Sequence, residues 1–172
     1  MSEVNYSEAR IFRQTPSVYF ADVWIEGQNG LDVVTHHGAA VSPPYDEAGR
    51  KQFYVHSYQI DYNRVLHGER VFELVYPDGT HAYVHLTPET GALEIPAGVY
   101  HRSVSCPSGS VLINQAVRSP GYSEATEFVP VAVDAEKEPV LWRGYMEPAK
   151  LYGDLSRILE LTTIYDTPDG RL

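Results

Sequence analysis

The sequence predicts an all-β protein built from antiparallel strands, and two observations indicate this fold class. From Ser17 to Val133, short runs of β-branched and aromatic residues alternate with turn sequences such as QNG, PDGT and TPETG. No helical spacing of apolar residues separates these runs, so the chain between them is too short for parallel crossovers. The expected architecture is an antiparallel sandwich, jelly roll or barrel.

The predicted strands follow one another closely along this core, about residues 17–133. The first two are SVYFADVWIE and LDVVTHH, after which the loop SPPYDEAGRK interrupts the strand pattern. The remaining runs are QFYVHSY, IDYNRVLHG, RVFELVY, HAYVHL, ALEIP, YHRSVS and VLINQAV. Turn sequences rich in Gly, Pro, Asp or Ser divide several of them, and CPSGS precedes the last. We therefore expect the core to consist of strands.

The C-terminal segment, about residues 139–164, is predicted to differ from the core. PVLWRGYM could add an edge strand, and Pro148 suits the first turn of a helix that follows. The apolar positions with helical spacing are Leu151, Leu155, Ile158, Leu159 and Thr162. We expect this helix to pack on the outside of the sheet or on a second subunit, within a single domain of residues 1–172.

The composition narrows the class of protein. The chain has 172 residues, and 43% of them are hydrophobic, which suffices for a core without disulfides. Its one cysteine, Cys106, excludes an internal disulfide and a cysteine zinc cage. The net charge of −10 argues against nucleic-acid binding and against a polybasic contact with membranes. With no apolar leader or membrane span in the sequence, we expect a soluble cytoplasmic protein.

The segment from Gly91 to His101 carries the most information about function. Pro96 and Gly98 suit a tight turn that reverses the chain. The strand that begins near Tyr100 should then point His101 into the interior. The spacing of the glycine, the Pro-x-Gly turn and the histidine resembles the second conserved motif of the cupin superfamily.

A second region resembles a degraded form of the first cupin motif. Counting back from Gly68 places Asp61 at the position of the family's glutamate, His56 at its second histidine and Tyr54 where its first histidine stands. The resemblance implies an antiparallel cupin jelly-roll barrel and a candidate metal set of His56, Asp61 and His101. Aspartate is one methylene shorter than glutamate, so we expect no cofactor first, with iron, zinc or manganese as the alternative.

Within the superfamily, the sequence is most similar to the nucleotide-sugar 3,4-ketoisomerases, which need no metal. Arg50-Lys51 precedes the Tyr54-Val-His56 segment, and the Tyr-rich acidic stretch GYSEATEF follows the strand VLINQAV. The whole resemblance spans roughly Gly49 to Gln115. It implies acid-base isomerisation or epimerisation of a polar carbonyl-bearing substrate, a sugar nucleotide being one candidate.

Polar residues at expected interior positions independently favour a small polar ligand. Gln59, Asp61 and Asn63 alternate along one strand and therefore share a face. Asn114 or Gln115 in the apolar strand VLINQAV should also face inward and could hold a ligand hydroxyl. We therefore expect Gln59, Asp61, Asn63 and Asn114 to bind substrate.

Three hypotheses for the function follow. In the first, His101 and His56 are the acid-base pair of an isomerase, and Tyr54 donates to an enolate-like intermediate. In the second, His56, Asp61 and His101 hold the metal of an oxygenase, lyase or hydrolase. In the third, the protein is a non-catalytic cupin that binds a small ligand.

Three further predictions concern two pairs of histidines and one arginine. His81 and His85 share a face of the next hairpin and could ligate a metal, though a structural role is favoured. Arg102 should point away from His101 and pair with an acidic neighbour. The pair His36-His37 precedes a turn and is expected to be exposed.

We also expect a homodimer, because sheets with free edge strands commonly pair through them. The predicted interface elements are the strand SVYFADVWIE and the C-terminal helix. The expected ligand is a small polar molecule, with no nucleic acid and no membrane.

Overall fold

The computed structural model describes residues 4–23, 29–132 and 148–165, and it confirms the all-β prediction. Two short helices and a π-helical turn accompany the strands within these ranges. The strands are β1 Ala9–Gln14, β2 Val18–Val23, β3 Gly30–His36, β4 Val41–Ser42, β5 Gln52–Phe53, β6 Gln59–Val75, β7 His81–Leu86, β8 Leu93–Ile95, β9 Tyr100–Arg118, β10 Val131–Ala132 and β11 Lys150–Tyr152. The helices are α1 Glu124–Glu127 and α2 Leu155–Glu160, and the π-helical turn spans Leu161–Tyr165.

Two long strands, β6 and β9, organise the sheet. They pair antiparallel along their whole length, and the main sheet has the order β1-β2-β3-β9-β6-β7-β11. The sequence divides each of them into two strands, whereas the structure keeps each continuous through irregularities in register near Gly68. Gly68 has φ +68°, and a Cβ there would collide with the carbonyl of Gly109 on the partner strand. Only glycine allows the two backbones to approach this closely.

The N-terminal strand β1 is absent from the sequence prediction, which starts the sheet at Ser17. It pairs antiparallel with β2, so β2 lies between β1 and β3. SVYFADVWIE is therefore not an edge of the sheet, and the expectation that it offers a free edge is wrong. The end of that predicted strand, residues 24–26, lies outside the described residues.

The interior changes character along β6. Gln59, Asp61 and Asn63 are buried, as their alternation predicts, and Val65 follows on the same face. Farther along the strand, Phe72 and Leu74 belong to the apolar core. Both parts of the strand reach the candidate site, because Asp61, Asn63 and Phe72 line one cavity and Leu74 is paired with His101.

The C-terminal segment packs on the outside of the sheet, as predicted. Its helix begins at Leu155, later than Pro148, because β11 first pairs in parallel with β7. Asp154 caps the helix by accepting a hydrogen bond from the backbone N–H of Arg157. The buried cluster at this contact contains Val71, Val104, Cys106, Ile158 and Leu161. The predicted edge strand PVLWRGYM lies outside the described residues, and no described helix is long and apolar enough to cross a membrane.

Candidate active site

The Pro-x-Gly turn places His101 as the sequence predicts. Gly98 adopts φ +83° between β8 and β9, and its backbone N–H donates to the carbonyl of His56 at 2.7 Å. His101 is buried on the inner face of β9. The turn thus links the two motif-like regions of the sequence through the backbone.

Tyr54 and His56 lie in the short segment between β5 and β6. The backbone of Tyr54 exchanges two hydrogen bonds of 2.9 Å with the backbone of His101. The rings of His56 and His101 consequently lie side by side, with centroids 4.9 Å apart.

Asp61 completes a His-Asp-His triad, the name used here for His56, Asp61 and His101. Its Oδ2 lies 3.4 Å from Nε2 of His56 and 3.8 Å from Nε2 of His101. One ligand atom from each residue can be chosen so that all three lie within 4.8 Å of one another. The other carboxylate oxygen of Asp61, Oδ1, accepts hydrogen bonds from Gln59 Nε2 at 2.7 Å and from Asn114 Nδ2 at 2.9 Å.

The triad fits a metal ion. Separations of 3.4 and 3.8 Å are long for hydrogen bonds but suit two donors that share one ion at about 2.1 Å. Nδ1 of His101 lies 3.2 Å from the carbonyl of Val99, which can only accept, so this nitrogen donates. In the neutral ring, Nε2 therefore carries the lone pair that faces Asp61. Such outer hydrogen bonds are the usual supports of metal ligands.

The environment separates the proton affinities of the three groups. Burial opposes ionisation of Asp61, but the adjacent imidazole of His56, together with His101 and the hydrogen bond from Asn114, lowers its pKa to about 2. Burial and the neighbouring His56 lower the pKa of His101 to about 4. Burial also disfavours the charged form of His56, yet Asp61 and Glu127 raise its pKa above the ordinary value.

A cavity of about 60 Å³, on the order of two water molecules, adjoins the triad. Besides the triad, its polar lining residues are Ser42, Tyr54, Asn63, Arg70, Ser103 and Asn114. An outer pocket of about 290 Å³ shares Phe20, Tyr54 and Phe128 with it and adds Arg13. The inner cavity is too small to enclose a sugar nucleotide, so only the reacting part of such a molecule could enter.

The structure brings most of the sequence-predicted site residues together. Asn63, Asn114 and Tyr54 line the cavity with the triad, whereas Gln59 lies behind Asp61 and accepts a hydrogen bond from Arg118. Asn114 rather than Gln115 faces inward. Burial raises the pKa of the Tyr54 phenol against the opposing effect of Arg13.

Sequence reasoning missed several residues of the cavity, above all Arg70, Phe20 and Phe128. The register irregularities of β6 fall between Val65 and Arg70, so alternation cannot be carried across them to predict which face Arg70 occupies. Phe20 is contributed by β2 and Phe128 follows α1. No local pattern relates these distant segments to the motif-like regions.

One prediction outside the cavity receives a correction, and two are supported. The Nε2 atoms of His81 and His85 contact Glu73 at 3.1 Å and Glu69 at 2.7 Å respectively, in agreement with the favoured structural role. His36 is buried at the end of β3 rather than exposed, although His37 is exposed. Arg102 lies on the opposite face from His101, with Nη1 3.6 Å from Glu73, as expected.

No family model matches the sequence, and a comparison with curated proteins finds no significant match. Among solved structures, a variant of oxalate decarboxylase from B. subtilis matches with a TM-score of 0.55 and 13% identity, covering 91% of this chain and 45% of that chain. CapF, a capsular polysaccharide assembling protein from Staphylococcus aureus, has a TM-score of 0.55 and 11% identity, covering 76% of this chain and 32% of that chain. A Drosophila melanogaster CENP-C cupin domain has a TM-score of 0.48 and 16% identity over 68% of this chain and 84% of that domain.

The chain has the cupin fold. It spans less than half the length of the oxalate decarboxylase and CapF chains, and the identities are low, so the likeness shows the fold alone. The fold that the two motif-like regions imply is thus confirmed, and membership of the cupin superfamily stays a prediction. The closer likeness to nucleotide-sugar isomerases stays a prediction.

Proposed function

We propose that this protein is a small-molecule enzyme of the cupin fold whose reacting centre is one divalent metal ion held by the triad. The observation that carries the proposal is the convergence of three buried donor atoms, from His56, Asp61 and His101, beside a cavity. Two imidazoles and one carboxylate suit iron, zinc or manganese and leave positions open for a substrate.

The groups around the triad suit a polar, carbonyl-bearing substrate. When bound, the ion would polarise an oxygen atom of that substrate. The chain's own residues would bind and orient the molecule. The Tyr54 phenol, kept protonated by burial, would donate a hydrogen bond or a proton to a substrate oxygen, while Asn63 offers an amide group.

Metal titration tests this proposal. Protein treated with a chelator is titrated with Zn²⁺, Mn²⁺ and anaerobic Fe²⁺ in a calorimeter, and one site per chain is expected. His56→Ala and His101→Ala should each abolish saturable binding. His85→Ala is the matched control, because it removes another buried histidine that contacts a carboxylate. Absence of saturable binding by the unmodified protein would refute the proposal.

A second candidate is a metal-free isomerase or epimerase. The observation that favours it is the separation of the two imidazole pKa values, which would make His56 the acid and His101 the base. Turnover of a carbonyl substrate in the presence of chelator, lost in both histidine variants, would support this candidate. Turnover that requires added metal would refute it. If the protein neither binds metal nor turns over any carbonyl substrate, it is a non-catalytic binding cupin.

A further inference from the structure

Arg70 is a buried cation on the wall of the inner cavity. It lies on the inner face of β6 with 1% of its surface exposed, and it lines the same cavity as the triad. Its position opposite Ser105 in the sheet is four residues along β6 from Leu74, the residue paired with His101. The guanidinium and the triad therefore line one cavity.

All the hydrogen bonds of Arg70 go to neutral acceptors. Nε donates to Ser110 Oγ at 2.6 Å, and Nη2 donates to the carbonyls of Val34 at 2.7 Å and Ser110 at 3.4 Å. Among the described residues, no carboxylate lies within ion-pair distance of this guanidinium, and no hydrogen bond engages Nη1. The Ser and Val acceptors fix the orientation of the side chain without balancing its charge.

Other arginines with little exposed surface show how this chain normally balances a guanidinium. Arg102 contacts Glu73 at 3.6 Å, and Arg118 contacts Asp22 at 3.5 Å and Asp32 at 3.3 Å. The chain has 23 acidic residues against 13 basic ones, so carboxylates are plentiful. An ion pair is nevertheless missing at Arg70 in the part of the chain that the structure describes.

A buried charge without a counter-ion is unfavourable, because the interior cannot replace the water that the charge has lost. Burial accordingly lowers the pKa of Arg70 to about 9, still well above neutral pH, so the group remains a cation there. An anion that enters the cavity would remove this cost. The Arg70 side chain is thus held in place, with its positive charge not paired with a carboxylate of the described residues, before any ligand binds.

We propose that the inner cavity binds a small carboxylate anion, whose carboxylate pairs with Arg70 while the rest of the molecule faces the triad. The substrate class assigned here rests on the proposed function, because it concerns the same site. The volume of about 60 Å³ limits the enclosed part to a few non-hydrogen atoms, as in two- to four-carbon acids. The hydroxyl of Ser103 and the amide of Asn63 provide further polar groups on the wall.

The test compares ligand-induced stabilisation of three proteins, with and without bound metal. The probes are acetate, oxalate and malonate, with malonamide as the neutral analogue and inorganic phosphate and chloride as other anions. The variants are Arg70→Met and, as the matched control, Arg64→Met, which removes an exposed arginine from the same strand. A ligand that binds only the native state raises the unfolding temperature, and the increase grows with the logarithm of 1 + [L]/Kd.

We expect at least one carboxylate to stabilise the unmodified protein and the Arg64 variant equally, and malonamide to have no effect. Arg70→Met should weaken that binding about 10- to 100-fold, the loss typical of a charge-assisted contact. Equal binding by Arg70→Met, or no binding of any carboxylate to the unmodified protein, would overturn the proposal. Equal binding of phosphate or chloride would overturn its carboxylate specificity.

Two additions keep the test decisive. If Arg70→Met does not fold, Arg70→Lys retains a charge but lacks the planar fork, and binding about tenfold weaker is then expected. Metal titration of the same proteins separates this proposal from the proposed function. Carboxylate binding without metal binding would refute only the metal centre, whereas metal binding without carboxylate binding would refute only the role of Arg70.

Discussion

Two clusters of buried histidine and carboxylate side chains lie on opposite faces of the strand pair β6 and β9. The triad faces the barrel interior. On the other face, Glu73 lies among His81, Tyr83, Lys51 and Arg102, which together are called the outer cluster here. The two clusters combine similar residue types at similar burial, and they differ in how the carboxylate is satisfied.

In the outer cluster, both oxygens of Glu73 have direct partners. Oε1 accepts a hydrogen bond from the Tyr83 hydroxyl at 3.0 Å and contacts His81 Nε2 at 3.1 Å, and Oε2 lies 3.3 Å from Lys51 Nζ. In the triad, only Oδ1 of Asp61 is hydrogen-bonded, and Oδ2 faces two imidazoles across longer gaps. A saturated carboxylate stabilises the fold, whereas an incompletely satisfied one beside a cavity can bind a ligand.

The largest expected effect is on the triad itself. Asp61→Asn removes its negative charge while keeping its shape, and we expect affinity for Zn²⁺ or Mn²⁺ to fall more than about 100-fold. Calorimetric titration of the chelator-treated protein measures this loss. An Asp61→Asn protein that binds the ion as tightly as the unmodified one would remove the distinction between the two clusters.

The outer cluster should respond in the opposite way. Glu73→Gln removes the carboxylate charge that lies 3.6 Å from the buried guanidinium of Arg102, so we expect the free energy of unfolding to fall by about 3 kcal/mol. Metal affinity should not change. Urea unfolding followed by tryptophan fluorescence measures the first effect, and an unaltered midpoint would contradict a structural role for this cluster.

A smaller effect is expected one step away from the triad. Asn114 Nδ2 holds Oδ1 of Asp61, and its Oδ1 accepts from the backbone N–H of Tyr62, so Asn114→Ala should weaken metal binding about 10- to 100-fold. Gln115→Ala is the control, because the neighbouring side chain is exposed. Equal affinities in the two variants would show that the support of Asp61 is unimportant.

The two faces should also differ in pH dependence. Burial raises the pKa of Asp32 to about 7, against the effect of Arg118, so its folded state holds a proton that the unfolded state releases near pH 3.8. Its contribution to stability is full below pH 3.8 and is lost as pH rises through about 7. Asp32→Asn imitates the protonated form and should raise the melting temperature by about 4 °C at pH 8 but not at pH 4.

The contribution of Glu73 to stability depends on pH in the opposite direction to that of Asp32. Burial disfavours its charge, but the hydrogen bond from His81 and the charges of Lys51 and Arg102 lower its pKa to about 2. Its stabilisation is therefore present above pH 4.5 and is lost as pH falls toward 2. Melting curves of both variants across this range check the contrast, and an Asp32→Asn gain that is equal at pH 4 and pH 8 would contradict the assignment.

The smallest effect concerns assembly. We propose a homodimer that uses the C-terminal helix, where Leu155 and Leu159 are 49% and 53% exposed. Leu159→Glu should shift the mass measured by light scattering toward the monomer, with a change in folding stability below about 1 kcal/mol. A monomeric mass for the unmodified protein at micromolar concentration would contradict the proposal.

The sequence predicts the strands and the orientation of His101 because both depend on local patterns. The alternation of side chains along a strand predicts that Gln59, Asp61 and Asn63 share one face, and the Pro-x-Gly turn orients His101. Arg70 could not be assigned to a face, because register irregularities in β6 interrupt the alternation before it. β1 was missed since its charged and apolar residues carry no clear strand pattern, and its partners lie in other segments, such as the paired strand β2 and Phe128, which contacts Phe12.

The sequence likewise does not predict which hydrogen-bond and ion-pair partners surround the carboxylates of Asp61 and Glu73. His56 and His81 each lie within reach of an acidic residue along the chain, and the motif spacing that singles out His56 does not show how either carboxylate is hydrogen-bonded. The difference arises from residues contributed by other strands, such as Asn114 at the triad and Arg102 at the outer cluster. Such cross-strand partners follow from the three-dimensional register alone.

The backbone contact between Tyr54 and His101 has an evolutionary consequence. Because main-chain hydrogen bonds fix the spacing of these two segments, the residue type at position 54 can change while the frame that carries the site is kept. A scaffold of this kind tolerates the exchange of a ligand side chain without refolding. Tyr54 would then be one of several residue types that position 54 can accept. A chain with histidine there would differ from this one in the chemistry of the site but not in its fold.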